Sequence, residues 1–157
     1  MGEGESKAER LDRELKELTD ELRVLLPGVQ VLFAFLLTVP FTSRWDKVTD
    51  LQRDAYFAAF LAAAASSICL IAPSVFHRIQ WRRRDKERLL RVSNTFALLG
   101  GAFLALAMTG AVFLITDVLF DESSAAAVAA VTAGAIVLVW YGLPAWWRLT
   151  EHDKDEA

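Results

Sequence analysis

HRIQWRRRDKERLLR (residues 77–91) holds seven basic residues, Arg78, Arg82, Arg83, Arg84, Lys86, Arg88 and Arg91, against two acids, Asp85 and Glu87. On either side the chain loses its charge. Residues 55–77 and 92–116 contain no Asp, Glu, Lys or Arg, and neither do residues 24–43 and 123–147. A helix of ~20 apolar residues crosses a ~30 Å hydrocarbon layer, and each of the four windows reaches that length. The basic stretch thus divides two apolar hairpins. Because Lys and Arg are translocated reluctantly, it predicts a cytoplasmic turn between the second and third of four membrane spans.

Composition agrees with this pattern. The chain is 54% hydrophobic and 24% charged, values that fit together only when charge is segregated from apolar sequence. A soluble four-helix bundle would carry charge along one side of every helix at a period near 3.6, whereas these windows are apolar all round. The expected fold is all-α: an up-down antiparallel four-helix transmembrane bundle forming a single membrane domain. Its spans are expected near 24–41, 55–76, 92–116 and 124–147.

Orientation follows from counting. Residues 1–23 carry five Lys/Arg, the central stretch seven and the tail after residue 147 two, while the two opposite loops carry three and none. That asymmetry predicts a multi-pass protein of the plasma or inner membrane with both termini cytoplasmic. The hydrophilic start predicts no signal peptide. The opening MGEGES matches the short myristoylation pattern, at a frequency chance explains. The two ends are acidic, with eight acids in residues 1–23 and four in the tail, and are expected to fold over the basic stretch. Anionic headgroups compete for the same cations at about 1 kcal/mol per basic residue.

Residues 6–22 read as an amphipathic helix. Leu11, Leu15, Leu18, Leu22 and Leu25 follow a 4-3-4-3 spacing, a heptad seam that could pair with a second copy or a partner, or lie on the bilayer or its own chain. Pro27 and Gly28 are expected to kink or restart the helix. Pro40 closes the first span. Thr49 and Gln52 have capping-box spacing, and Ser123 or Ser124 is expected to cap the fourth helix. Ala97, Gly101 and Ala105 offer small-xxx-small packing in the third.

The runs ELRVLLPGVQVLFAFLLTVPF (residues 21–41) and APSVFHR (residues 72–78) resemble an uncharacterised family of small four-span bacterial integral membrane proteins, a domain of unknown function. The resemblance implies the four-span architecture and a bacterial inner membrane. It implies no activity.

Chemistry has few footholds. None of the four spans contains a charged residue, which argues against proton coupling. The single cysteine, Cys69, excludes an internal disulfide and dithiol redox chemistry. His77 and His152 have no metal-ligand companions, and no phosphate loop or nucleophile elbow occurs. No catalytic, cofactor or metal site is therefore expected. The basic residues at 78, 82–84, 86, 88 and 91 are expected to meet lipid headgroups or the acidic ends rather than nucleic acid. One polar constellation stands out: Gln30, His77, Asn94 and Tyr141, one from each span, at similar depth near the basic end. It reads either as interhelical glue or as a small pocket with a titratable histidine.

These features point to a non-enzymatic membrane protein acting as a scaffold or accessory interaction subunit. Its expected partners are membrane lipids and either its own copies or another membrane protein. A small oligomeric transporter or channel without an intramembrane carboxylate is the alternative.

Overall fold

The computed structural model describes residues 7–43, 45–80 and 86–146. It is all-α, with no strand among the described residues. The helices are α1 (Lys7–Thr38), α2 (Asp50–Gln80), α3 (Lys86–Leu119) and α4 (Glu122–Val137). The fourth continues through a π turn (Leu138–Gly142) and on to Trp146. Two 3-10 turns, Val39–Phe41 and Trp45–Lys47, lie between α1 and α2. Four segments, Glu9–Phe41, Asp50–Phe76, Glu87–Leu119 and Glu122–Trp146, are long and apolar enough to cross a membrane, with mean hydropathy between 2.0 and 2.2. The protein is thus a multi-pass membrane protein by length and composition. Protein covers only 6% of the apolar window of the fourth segment and 33% of that of the second. Large side chains such as Val24, Val31, Phe35 and Phe57 point outward, as lipid-facing positions do.

The chain forms two compact units. The first holds α1, α2 from Phe60 and α3 up to Leu104; the second holds α2 up to Ala59, α3 from Ala105 and α4. In the first unit one rule governs α1: Leu15, Leu22, Val29 and Leu36, each seven residues from the last, are all buried. On α2 the buried positions Ala63, Ser66 and Leu70 keep the same phase, and on α3 so do Ser93 and Gly100. Seven-residue spacing keeps one stripe facing its neighbours over many turns. The core is Leu22, Val29 and Leu70, with Leu18, Leu26, Ala97 and Leu104 packed on it.

The leucine seam and the first span are therefore one element, and the helix does not restart at Pro27. Pro27 and Gly28 lie on the exposed side of α1, and nothing would meet a Cβ at Gly28 within 4 Å. Proline costs the helix about 3 kcal/mol, but here its ring displaces no neighbour. The buried stripe runs past it on both sides and holds the helix together.

Within this unit α2 and α3 approach closely. The Ser66 hydroxyl donates a buried hydrogen bond of 2.8 Å to the Gly100 carbonyl. A Cβ on Gly100 would lie 2.6 Å from Cδ2 of Leu70. Phe33 stacks on Phe60 at 5.2 Å, and Phe76 meets Phe96 edge-on at 5.5 Å. The expected small-residue contact through Gly101 is shifted by one residue: Gly100 is buried and Gly101 only partly so. Each residue turns the helix by 100°, so adjacent glycines face different directions.

In the second unit Tyr56, Ala59, Ala107, Ala125 and Ile136 are buried, and a Cβ on Gly110 would meet that of Ala59 at 2.8 Å. The capping box forms as its spacing predicts. The Thr49 N–H donates to Gln52 Oε1 at 3.1 Å, and the Gln52 N–H donates to Thr49 Oγ1 at 3.2 Å. Gln52 also donates through Nε2 to Asp117 Oδ2 at 2.6 Å, so its amide ties the start of α2 to the end of α3. Gln52→Ala should lower stability by about 1–2 kcal/mol in detergent-solubilised unfolding. Gln52→Glu keeps the cap acceptor but sets a second carboxylate against Asp117 Oδ2, and should lose at least as much as Gln52→Ala.

The cap of α4 is Asp121 rather than either serine. Its Oδ1 accepts the Ser124 N–H at 2.9 Å and the Ser123 hydroxyl at 2.5 Å, and its Oδ2 accepts the Ser124 hydroxyl at 2.9 Å. Asp competes as well as Ser for an N-cap, and here the serines turn back onto it. Led by the Ser123 hydroxyl, these bonds lower the Asp121 pKa from 3.8 to about 2. A depressed folded-state pKa gives stability that is present above about pH 4 and is lost as pH falls toward 2. A carboxyl NMR titration should show the Asp121 midpoint near 2, and Ser123→Ala should raise it toward 3.8.

At the other end of α4 the Leu143 N–H bonds the Leu138 carbonyl, five residues back. Pro144 follows at once, and its ring would press on the carbonyl four residues earlier in a regular helix. The wider π turn opens the ladder at that point, as π-bulges do.

Candidate functional site

The helices outrun the membrane at the end where the chain turns from α2 to α3. At 1.5 Å per residue α1 is roughly 48 Å long against ~30 Å of hydrocarbon. Its excess is the charged part before residue 24, about 25 Å of helix. There α1 lies beside the last turns of α2 and the first turns of α3. Lys7 pairs with Glu87 across α1 and α3.

Two grooves flank this part of α1. That between α1 and α3, about 610 Å³, is lined by Glu14, Glu17, Glu21, Glu87, Arg91 and Asn94 over a floor of leucines. Its acids are mostly engaged: Arg10 Nε lies 2.8 Å from Glu14, Arg13 lies 3.9 Å from Glu17, and Lys7 holds Glu87. No cluster able to hold a metal ion occurs among the described residues. The groove between α1 and α2, about 700 Å³, is lined by Asp12, Lys16, Asp20, Arg23, Ser74 and Arg78.

Leu15 and Leu22 are buried and Leu11 and Leu18 half-buried. The seam offered to a partner is taken up by the chain itself, because the span continues its phase and brings α2 and α3 against it. Gln30 and Asn94 are both exposed, and Asn94 lines the groove between α1 and α3. Tyr141, in the π turn of the second unit, is 40% exposed. The side chain of His77 lies outside the described residues. Of the basic set, Arg78 and Arg91 each line a groove and Arg88 is exposed. The side chains of Arg82, Arg83, Arg84 and Lys86 lie outside the described residues.

Two contributors to the second groove escaped the sequence reading, Lys16 and Arg23. A signal existed for Arg23: it is the last charge before the first apolar window, and Arg78 is the first after the second. In helices running opposite ways, such residues come to one depth.

Apart from Ser66, which bonds α3, four hydroxyls within the spans turn onto their own helices. Ser67 bonds the Ala63 carbonyl, Thr109 that of Ala105, Thr116 that of Val112 and Thr132 that of Val128, all at 2.8–3.0 Å.

A model of a family of unknown function, DUF6328, matches residues 4–144. No curated protein and no solved structure matches the chain.

Proposed function

From a chain that belongs to this family of unknown function, we propose a non-enzymatic scaffold or accessory subunit of the cytoplasmic membrane, with both ends inside. One observation supports it above the others. α1 passes unbroken from its apolar span into about 25 Å of charged helix, braced by its own leucines against α2 and α3. A braced, solvent-facing helix of this kind is a rigid platform. Its flank toward α3 is acidic, which favours a partner segment with basic complement. The Lys/Arg asymmetry supports the inward orientation.

Transport is the second reading. It would require polar groups aimed at a path, whereas Ser67, Thr109, Thr116 and Thr132 donate to their own helices, Ser66 donates to the Gly100 carbonyl inside the bundle, and the apolar windows hold no charge. Photo-crosslinkers at exposed Glu17 and Glu21 should capture one discrete partner in native membranes, and the same label at lipid-facing Phe35 should not. Equal labelling at all three positions, or solute flux through purified protein in liposomes, would overturn the proposal.

A further inference from the structure

We propose that the groove between α1 and α2 binds the phosphodiester headgroup of an anionic phospholipid through Arg23, Arg78, Lys16 and Ser74. The first support is depth. Arg23 borders the apolar window of α1 and Arg78 that of α2, yet both line one groove. They flank it at the boundary between hydrocarbon and water, where lipid phosphates lie.

The second support is availability. Among the described residues no carboxylate pairs with Arg78 or Lys16, and the Ser74 hydroxyl has no hydrogen-bond partner. Among the described residues Arg23 pairs with Asp20, at a long 3.8 Å with both side chains exposed, so it can turn to a stronger acceptor. Thr19 adds no donor, because its hydroxyl already bonds the Leu15 carbonyl. Asp12 and Asp20 line the same groove and oppose an anion; three cations against two acids leave it net basic. Arginine suits the task, since its planar fork can hold two phosphate oxygens at once.

The third support distinguishes a lipid from a free anion. Ile68, Ile71 and Val75 precede Arg78 at intervals of three, four and three residues, and all are exposed. They make an apolar track on the same face of α2, leading from the headgroup position into the hydrocarbon. The groove's size, about 700 Å³, lies within the ~300–1,000 Å³ typical of small-molecule sites.

The test uses the full chain, delipidated in a non-ionic detergent and titrated with phosphatidylglycerol or phosphatidylethanolamine in native mass spectrometry. One phosphatidylglycerol should be retained in preference to phosphatidylethanolamine. Arg23→Gln and Arg78→Gln should each weaken retention about fivefold, Arg78→Lys should weaken it less, and Arg53→Gln at the other end of α2 should leave it unchanged. Ser74→Ala, a small change at an exposed position, should also weaken it, and keeps the test open if an arginine variant misfolds. Equal retention of the two lipids, or an equal loss with Arg53→Gln, would overturn the proposal. Displacement of the lipid by millimolar inorganic phosphate would do so too, by showing a free-anion site.

Discussion

Gly110→Ala should destabilise the protein by about 1–3 kcal/mol, the range for forcing an extra group into a packed contact. The added methyl would lie 2.8 Å from the Cβ of Ala59, with the Ala59 Cα at 3.5 Å. Ala59 is 2% exposed and has no rotatable side chain, so the helices themselves must separate. Ala59→Gly in the same chain removes the obstructing methyl and should restore most of the loss, apart from about 1 kcal/mol for glycine within a helix. The coupling between the two changes, read from reversible unfolding of four variants, is the diagnostic quantity. Additive losses would mean that α2 and α3 do not meet at this point. Gly100→Ala is the contrasting case, because the new methyl would meet a rotatable side chain, Leu70, at 2.6 Å from Cδ2 and 2.7 Å from Cγ. Leu70 is fully buried, so relief there comes from rotamer change with local repacking and should differ from the Gly110 result.

Leu22→Asp is the second large expectation. Leu22 is 2% exposed and belongs to the core with Val29 and Leu70. An unpaired carboxylate placed there should cost at least about 3 kcal/mol. It should release the charged part of α1 first, so tryptic cleavage at Arg10, Arg13, Lys16 and Arg23 should accelerate relative to wild type. Leu25→Asp is the control: Leu25 shares the leucine spacing but is 47% exposed, and the change there should leave the cleavage rate near that of wild type. Equal sensitivity of the two variants would mean that the seam is free, as a partner-binding surface would be.

Asp121 and Gln52 show how far local sequence reaches. Thr49 and Gln52 announced the cap of α2 because a capping box needs only residues three apart. At the start of α4 the sequence pointed to Ser123 or Ser124, and the cap is Asp121, onto which both serines turn. The bond from Gln52 to Asp117 spans 65 positions and had no local signature. Pro27 failed as a break for a related reason. Its penalty is local, but the buried stripe that outweighs it depends on distant helices.

The sequence by itself determined that there are four apolar helices, where charge begins and ends along each, and that one turn between them is basic. Exclusion of charge from hydrocarbon acts on every residue alone, so it is legible in one dimension. Only the tertiary structure decided which side of each helix is inside. It buried Leu22 and left Leu25 out, chose Gly100 over Gly101, and set Arg23 beside the groove that Arg78 lines. An all-round apolar helix carries almost no directional pattern of its own. Its facing is settled by small residues that let a neighbour approach, and those neighbours come from elsewhere in the chain.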